Sequence, residues 1–513
     1  MPTKTNTETI AVEDFMLQPE VVACIKNLET LFGKGGEKKI VSDVLDGEGH
    51  QYVNLVQKGG GVLGVALVGY TYILEQMGIR FIRLAGTSAG AINTALMTVI
   101  GAEESIPNGT QQKKIKGNKK MAKSEKILKA ICDLNFFDLV DGHPAARIII
   151  KNFITDKDFT TRLNKWIKGI IIMLLALPVL DFICLGLQQQ LTWVAYFTKG
   201  FFVLTGLFLM LLILLVAYFI FLVNRLKNAG FGINPGDFFY TWIKDRLKEN
   251  HVNSVSDLID VASTPVADLY LREENKEGIN GLEGDVTFIT SEIVSMNKIE
   301  FPKMWRLFRE NINDLQPAGF VRASMSIPIF FESYFINDIP CSETGTKEEW
   351  ITKLGETDPP STARFVDGGI LSNFPINLFY NPKVDVPRLP SFGIDLNDEK
   401  TPEEMAGDEK KEEVDDEGKH AESWSLGGYI YRLFNTVRFY YDKDFLIKNA
   451  FFKKGIGVIP LKGYNWLNFF LNKEAKQKMF VLGAKAATEF LIHFDWEAYK
   501  TGRVEMQQNL KKI

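Results

Sequence analysis

The sequence predicts an α/β fold with a mostly parallel central sheet, interrupted by a transmembrane helical hairpin. Two observations predict it. Short β-rich runs alternate along the chain with segments of helical periodicity, a pattern typical of parallel sheets. Near the middle of the chain, two long apolar segments follow each other closely, and segments of this length are typical of membrane-spanning helices.

Five predicted strands and three predicted helices carry the alternation. The strands are expected at residues 51–56, 79–84, 286–289, 364–366 and 391–394. The helices are expected at residues 62–75, 89–100 and 473–492. Because predicted strands and helices alternate along the chain and do not form separate blocks, the pattern indicates a layered α/β domain.

Composition excludes several classes of protein. The chain has 513 residues and a net charge of -4, which argues against a nucleic-acid binder, and no basic groove with interleaved aromatic residues is evident. The four cysteines are widely scattered, so we expect neither disulfides nor a metal or redox site. No calcium loop of EF-hand form appears, and no cofactor is predicted. The polar first fifteen residues contain no apolar core, so no cleavable signal peptide is evident.

The two apolar segments predict a membrane hairpin. Residues 200–223 run for 24 positions without a charge, longer as a helix than the roughly 30 Å of hydrocarbon in a bilayer. Residues 169–187 are interrupted by Pro178 and Asp181. We expect two spans, with a buried core helix as the alternative for the first segment and a re-entrant or surface helix for the second.

Charges flanking the hairpin predict its orientation. Lys165, Lys168, Arg225 and Lys227 lie at the outer ends, whereas the short connection between the segments carries only Lys199. Since basic residues favour the cytoplasmic side, we expect an integral membrane protein with a two-span hairpin and the rest of the chain on the cytoplasmic side.

Two polar segments are predicted to lie outside the packed body. Residues 398–423 are almost purely charged and polar, and such a composition is typical of a disordered loop. Residues 113–126 carry seven lysines. They are expected to form a solvated loop, or alternatively to be attracted to anionic lipid.

A glycine-rich turn follows the first predicted strand. Gly59, Gly60, Gly61 and Gly64 formally satisfy the G-x-G-x-x-G pattern of dinucleotide-binding folds. Those folds also need an acidic residue about twenty positions later, at the end of the next strand. That strand reads IRFIRLAG and contains no acid, so dinucleotide binding is the weaker interpretation.

The next strand ends in a serine motif. Gly86-Thr87-Ser88-Ala89-Gly90 is a G-x-S-x-G sequence between a predicted strand and a predicted helix, the context of a nucleophile elbow. Small residues at Gly86 and Gly90 allow the helix to approach the strand, and the N-terminus of the helix favours an alkoxide. Ser88 is therefore the candidate nucleophile.

A serine nucleophile requires a base and oxyanion donors. The five histidines lie in unpromising positions. Asp367 is the better candidate, because a predicted strand ends there in Asp-Gly-Gly; the alternative is that Asp-Gly only forms a turn. Backbone N–H groups of Gly60 and Gly61 would supply the oxyanion donors if their loop lies beside the elbow.

These motifs together resemble the patatin-like phospholipase family, which uses a Ser–Asp dyad. GGGVLG, GTSAG and DGG occur in the family's order, and RASMSIPIFF (residues 322–331) is similar to its Ala-Ser-x-x-x-Pro segment. Asn373 and Pro375 also match. Plant-type members often have Asp before the glycines, where this chain has Lys58, and a basic residue where this chain has Leu63. The apolar Leu63 resembles the bacterial-type branch of the family.

The resemblance implies a patatin-like three-layer α/β/α fold and assigns roles to residues. Ser88 would be the nucleophile, Asp367 the base, and Gly59, Gly60 and Gly61 the oxyanion loop. The supporting glycines of the motifs are Gly64, Gly86, Gly90, Gly368 and Gly369.

The implied activity is that of a membrane-bound serine lipid acyl hydrolase, a phospholipase or lipase that acts on acyl esters of membrane lipids. Its expected partners are phospholipid or glyceride esters and the lipid bilayer, with no nucleic acid; protein partners stay open. Three alternatives remain: a catalytically silent membrane scaffold, a lipid transacylase, and a transporter or channel based on the apolar segments.

The predicted organisation has six parts. They are an N-terminal polar and helical extension (1–45), a first catalytic part with the elbow (46–165), the hairpin (166–227), a second catalytic part with Asp-Gly-Gly (228–397), the acidic loop (398–423) and a C-terminal catalytic part (424–513).

Overall fold

A computed structural model of the chain describes residues 11–101, 122–144, 147, 150–152, 159–187, 194–228, 230–272, 282–397 and 426–510. The predicted disordered loop at 398–423 and most of the lysine-rich segment at 113–126 lie outside these residues. So do the first ten residues of the N-terminal extension.

Twelve strands occur in the described part of the chain. They are β1 (Val44–Leu45), β2 (Gln51–Gln57), β3 (Ile79–Thr87), β4 (Gly232–Asn234), β5 (Tyr270–Leu271), β6 (Asp285–Glu292), β7 (Asn297–Phe301), β8 (Ile329–Phe331), β9 (Tyr334–Ile336), β10 (Ala363–Asp367), β11 (Ser391–Asn397) and β12 (Ile456–Pro460). All five predicted strands are confirmed, each extended by one to four residues in total.

The described helices include the three predicted at residues 62–75, 89–100 and 473–492. The set is α1 (Glu13–Met16), α2 (Pro19–Phe32), α3 (Gly64–Gln76), α4 (Ala89–Val99), α5 (Lys123–Cys132), α6 (Phe159–Leu187), α7 (Val194–Asn228), α8 (Asp237–Glu249), α9 (Val255–Ser263), α10 (Pro317–Ser324), α11 (Thr344–Leu354), α12 (Leu426–Lys448), α13 (Lys473–His493) and α14 (Trp496–Leu510).

One mixed sheet forms the centre of the fold, with the strand order β12-β11-β2-β3-β6-β10-β9. The pairs from β12 to β6 are parallel, whereas β10 runs antiparallel to both β6 and β9. Every residue of β2 is buried, as expected for a strand covered on both faces. The predicted α/β class with a mostly parallel central sheet is confirmed, and its antiparallel edge was not foreseen.

The chain divides into two compact units. The first contains Met1–Val140, Gly236–Pro328 and Ser333–Ile513, and the second contains Asp141–Pro235 and Ile329–Glu332. The main sheet belongs to the first unit. Because β2 and β3 precede the predicted hairpin and β6, β10 and β11 follow it, a chain with membrane spans must cross the bilayer an even number of times to build this sheet.

The second unit contains both apolar segments as long helices. Lys165–Leu187 and Thr198–Lys227 are long and apolar enough to cross a membrane, and α6 and α7, which contain them, pack against each other. No residue in the most apolar window of α7 is buried. A core helix of a soluble protein would be mostly buried, so the exposed apolar surface disfavours that alternative.

Asp181 is a buried acid on α6. Its side chain is only 5% exposed, and Leu177, one turn earlier, is similarly buried. Positions four residues apart share one face of a helix. This face packs inward, so the acid is turned away from the surface that lipid would contact.

Candidate active site

Ser88 occupies the sharp turn between β3 and α4. Its backbone φ is 53°, a left-handed conformation that non-glycine residues rarely adopt and that is typical of functional sites. The turn leaves no room for a side chain at either of the two flanking glycines. A Cβ atom at Gly86 would clash with the carbonyl of Gly90, and one at Gly90 would clash with the carbonyl of Gln57. The residues of G-x-S-x-G therefore form a strand–turn–helix corner.

A buried hydroxyl group holds the corner in place. Ser324, at the end of α10, accepts a hydrogen bond from the backbone N–H of Ser88 at 3.0 Å. The same hydroxyl donates to the carbonyl of Ile289 in β6 at 2.6 Å. Because Ser324 is completely buried, this link ties the elbow to the neighbouring strand without competition from water.

Asp367 lies at the end of β10 and is 6% exposed. One carboxylate oxygen accepts a hydrogen bond from the N–H of Gly369 at 2.7 Å. The backbone N–H of Asp367 donates to the carbonyl of Ser326 at 2.8 Å. A Cβ atom at Gly368 would clash with the carbonyl of Ile289, so the Asp-Gly-Gly turn packs tightly against β6.

Ser88 and Asp367 flank β6 at the same level. Thr87 pairs with Ile289 in β6, and Asp367 pairs with the next residue, Thr290. Neighbouring strands lie about 4.8 Å apart, so the two backbones face each other across roughly 10 Å. Since β10 is antiparallel, Asp367 reaches this level from the direction opposite to that of Ser88.

The segment RASMSIP links both residues to one helix end. Ser324 binds the N–H of Ser88 and Ser326 binds the N–H of Asp367. From the sequence this segment was recognised only as a family resemblance. A small hydroxyl residue at the end of a helix, Ser324, was the available signal for a positioning role, whereas the carbonyl of Ser326 left none.

The glycine loop lies against the elbow. A Cβ atom at Gly59 would stand 3.0 Å from the Cβ of Ser88 and 2.5 Å from Oδ1 of Asn373. Asn373 also fixes this loop with two hydrogen bonds. The N–H of Gly59 donates to the carbonyl of Asn373 at 3.0 Å, and Nδ2 of Asn373 donates to the carbonyl of Gly59 at 3.2 Å.

These bonds separate Gly59 from Gly60 and Gly61 as candidate oxyanion donors. The N–H of Gly59 is already committed to Asn373. Within the described ranges, the N–H groups of Gly60 and Gly61 engage in no hydrogen bond. An oxyanion hole needs donors that are positioned but unoccupied, so Gly60 and Gly61 suit that role and Gly59 suits support of the loop.

An apolar cleft adjoins the elbow and the glycine loop. Its open space, including the part that is continuous with solvent, is about 660 Å³. The lining residues come from the glycine turn, α3, α4 and the segments packed against them, and are mostly aliphatic or aromatic. Those nearest the elbow are Gly61, Val62, Gly64, Ala89, Ile92 and Leu96. A cleft of this chemistry accommodates a hydrocarbon chain.

Asp442, in α12, was missed by the sequence analysis. Its carboxylate accepts hydrogen bonds from the Ser372 hydroxyl at 2.9 Å and from the N–H groups of Asn373 and Phe374, both at 2.8 Å. Burial raises the pKa of Asp442 to about 6, although these hydrogen bonds and the charge of Lys58 oppose the rise. The only sign of Asp442 in the sequence was an acidic residue among the aromatic residues of a helical segment.

The Asp442 contacts connect α12 to the glycine loop. Asp442 binds the backbone of Asn373, and Asn373 in turn binds Gly59. Lys58, just before the glycines, donates to Asp395 at 2.6 Å and to the carbonyl of Leu396 at 3.1 Å. Lys58 thus fixes the start of the glycine loop to β11.

The remaining site glycines serve packing. A Cβ atom at Gly64 would stand 3.1 Å from the Cβ of Ala89, so this glycine permits close contact between the starts of α3 and α4.

Among the histidines, His50 lies 3.0 Å from Asp46 and just before β2. It is therefore at the opposite end of the parallel strands from Ser88.

Comparison with known proteins gives a relative, a structural neighbour and a family. The chain is 23% identical over 440 residues to the uncharacterized protein YqhO of Bacillus subtilis, covering 86% of this chain and 98% of YqhO. It is also similar to the crystal structure of VipD from Legionella pneumophila, at 14% identity and a TM-score of 0.33, covering 89% of this chain and 70% of VipD.

The family described as patatin-like phospholipase matches residues 55–380. The match includes the glycine loop, Ser88 and Asp367, and the hairpin falls inside it. Membership supports lipid acyl hydrolase activity in general. The chain belongs to the patatin-like phospholipase family.

Proposed function

We propose that this chain is a membrane-bound serine lipid acyl hydrolase in which Ser88 is the nucleophile and Asp367 the base. The observation that carries the proposal is the convergence of three features at the level of Ile289 and Thr290 in β6. The elbow with its left-handed serine, the unoccupied N–H groups of Gly60 and Gly61, and the carboxylate of Asp367 all lie at this level.

In the first half of the reaction, Asp367 accepts the hydroxyl proton of Ser88 as the serine oxygen attacks an ester carbonyl. The N–H groups of Gly60 and Gly61 stabilise the resulting oxyanion. One such donor contributes about 3 kcal/mol to transition-state stabilisation. Collapse of the intermediate breaks the ester bond, the proton passes to the leaving alcohol, and an acyl-Ser88 ester remains.

In the second half, water attacks the acyl-enzyme. Asp367 accepts a proton from the water as its oxygen adds to the acyl carbonyl, and the same donors stabilise the second oxyanion. Release of the fatty acid returns the proton to Ser88. An alcohol in place of water would give transacylation through the same intermediate, so the acceptor alone separates the hydrolase from the transacylase alternative.

The proposed substrates are acyl esters of membrane lipids, phospholipids or glycerides. The apolar cleft supports this choice, because it begins at Gly61 and Ala89, the immediate neighbours of the donor Gly60 and of Ser88. An acyl chain in the cleft would therefore leave its ester group beside the nucleophile.

We further propose that α6 and α7 span the bilayer and that the unit carrying Ser88 lies on the cytoplasmic side. The basic residues at the outer ends of the hairpin support this orientation. Tethering at the leaflet would spare a lipid substrate the transfer through water.

Product analysis by mass spectrometry tests the proposed activity. The full-length protein is incubated with mixed lipid vesicles, alongside Ser88→Ala, Asp367→Asn and the control Asp314→Asn, which alters an exposed acid. We expect free fatty acid and lysolipid or partial glyceride from the wild type and the control only. Turnover by folded Ser88→Ala would overturn the assignment.

A fluorophosphonate probe separates the enzyme from a silent scaffold. The probe reacts covalently with activated serines, so we expect one modified peptide, containing Ser88, and no labelling of Ser88→Ala. An unlabelled, correctly folded wild type would favour the scaffold alternative.

Accessibility mapping tests the topology. Single cysteines introduced at position 48, before β2, and at position 314, after β7, should both react with a membrane-impermeant reagent only from the cytoplasmic side. Reaction from opposite sides would exclude a two-span hairpin.

A further inference from the structure

The turn between β6 and β7 is unusually apolar. Ile293, Val294 and Met296 are 43%, 47% and 81% exposed, whereas turns generally carry polar residues. Met296 has a φ of 59°, a conformation usually taken by glycine or asparagine. Hydrogen bonds from the N–H groups of Val294 and Ser295 to the Glu292 carboxylate hold the turn.

The turn projects beyond the proposed active site. Ile289 pairs with Thr87, directly before Ser88, and the turn begins at Ile293, three residues after Thr290. At about 3.3 Å per residue, the apolar tip lies roughly 10 Å past the level of the nucleophile. The tip thus lies at the edge of the sheet where β3 ends and the Ser88 turn begins.

Helix α12 presents an apolar face to solvent. Leu433, Val437, Tyr440 and Ile447 are 53%, 63%, 66% and 72% exposed, and at 100° per residue they fall on one side of the helix. The ion pair of Asp444 and Lys448 lies on the same side near Ile447, so the face is apolar chiefly at Leu433, Val437 and Tyr440. Asp442 lies on the opposite side, buried against the segment after Asp367. This is the reverse of an ordinary surface helix, whose apolar side faces the core.

The β6–β7 turn and helix α12 lie near each other, with Lys298 and Tyr441 between them. Tyr441, next to the exposed row, is itself 45% exposed, and the Nζ of Lys298 in β7 lies 5.7 Å from the centre of its ring. Its hydroxyl accepts a hydrogen bond from Asn377 at 3.2 Å. We call this surface the outer apolar patch, comprising Ile293, Val294, Met296, Leu433, Val437, Tyr440, Tyr441 and Ile447.

We propose that the outer apolar patch docks into the surface of a phospholipid bilayer and holds the active-site edge against the leaflet. The proposal rests on the proposed lipid substrate. Exposed aliphatic side chains together with tyrosines and a neighbouring lysine are typical of interfacial anchors, which insert shallowly and need no matching groove. The two long apolar helices elsewhere in the same chain put a bilayer within reach.

Docking also answers a problem of access. Ser88 is only 3% exposed, so a lipid must leave the leaflet and enter the protein to reach it. A patch on the same edge of the sheet shortens that path, because the substrate passes from lipid to apolar cleft with little exposure to water.

A fluorescence experiment on the full chain in proteoliposomes tests the docking directly. The four cysteines are replaced by serine, and an environment-sensitive fluorophore is attached to Met296→Cys, Val437→Cys or the control Glu48→Cys. Glu48 is an exposed residue before β2, away from this edge. We expect a blue shift and strong quenching by brominated lipid at positions 296 and 437 and neither at position 48.

Two results of this experiment would overturn the proposal. Labels at 296 and 437 that resemble the aqueous label at 48 would exclude burial of the patch. A blue shift without quenching by brominated lipid would mean that protein, such as a second copy of the chain, covers it. Both results are independent of catalysis, so they remain decisive even if the proposed activity is wrong.

A kinetic comparison adds a functional measure. Met296→Asp combined with Val437→Asp should reduce hydrolysis of vesicle lipids about tenfold, because a charge opposes insertion. Hydrolysis of a water-soluble butyrate ester should stay within about twofold, since the catalytic groups are untouched. Unchanged vesicle hydrolysis in the double variant would contradict docking, whereas failure of the wild type on both substrates would contradict only the proposed function.

Discussion

The hydroxyl of Ser324 accepts a hydrogen bond from the backbone N–H of Ser88 at 3.0 Å, across 236 residues of sequence. Because the same hydroxyl donates to β6, it sets the position of the elbow relative to the strand that separates Ser88 from Asp367. Two residues later, the carbonyl of Ser326 sets Asp367 in the same way.

Removal of this hydroxyl should damage catalysis more than folding. Ser324→Ala leaves the N–H of Ser88 without its partner, a loss of about 1–3 kcal/mol in the free energy of unfolding. Displacement of Ser88, the proposed nucleophile, should lower kcat by about 100-fold. Ester hydrolysis and thermal unfolding in detergent measure the two effects.

Thr98→Ala is the matched control, since it deletes a buried hydroxyl that bonds only within α4. We expect a comparable loss of stability and near-normal turnover. Full activity of Ser324→Ala would show that the hydrogen bond does not position the elbow.

A methyl group at Gly59 should disrupt the oxyanion loop. Its Cβ would lie 2.5 Å from Asn373 Oδ1 and 3.0 Å from the Cβ of Ser88, so the loop must move. Loss of aligned donors costs about 10²–10³ in kcat, and we expect Gly59→Ala to fall in that range. Gly47→Ala, whose Cβ would make only an ordinary 3.7 Å contact, should keep its activity; equal activity of the two variants would refute the assignment.

Filling the cleft should shorten the preferred acyl chain. Ile92 lines the cleft one turn after Ser88, and a tryptophan there would occupy space proposed for hydrocarbon. Ile92→Trp should lower kcat/KM for a sixteen-carbon ester about tenfold or more, given the 1–3 kcal/mol carried by each lost methylene site. A four-carbon ester should react within about twofold of the wild type.

Ile351→Trp provides the control, because this residue is exposed on α11 and does not line the cleft. Its chain-length profile should match that of the wild type. A uniform loss on long and short esters by Ile92→Trp would point to damage of the elbow and would contradict an acyl role for the cleft.

Asp442 should make stability depend on pH. Its pKa is raised from an ordinary 3.8 to about 6, so between these values the native protein binds more protons than the unfolded chain. The free energy of unfolding contributed by this group is therefore fully present below pH 3.8 and is lost as pH rises to 6. A shift of two units corresponds to about 3 kcal/mol.

Asp442→Asn removes the titration while keeping an oxygen that accepts hydrogen bonds. Thermal unfolding of wild type and variant from pH 4 to 7 should give a flatter pH dependence for the variant over the range 4–6. Parallel curves would mean that Asp442 does not titrate as described.

Local constraints explain why much of the site was predictable. The elbow and the glycine loop depend on backbone conformations and close approaches that only small residues permit, so Gly86, Gly90 and Gly59 had to appear beside their functional neighbours. The strands and helices next to them are continuous apolar runs with distinct periodicities. The fold class and the family followed from these consecutive residues.

The sequence alone thus determined the α/β class, the family, the long apolar helices and the candidate residues Ser88 and Asp367, because each depends on a short stretch of neighbouring residues. Only the tertiary structure decided the antiparallel course of β10, the hydrogen bond that sets Gly59 apart from Gly60 and Gly61, and the contacts of Ser324 and Asp442. Those links join residues 236 and about 70 positions apart. Such partners leave no local pattern, since they are selected by packing between distant segments and not by the conformation of either one.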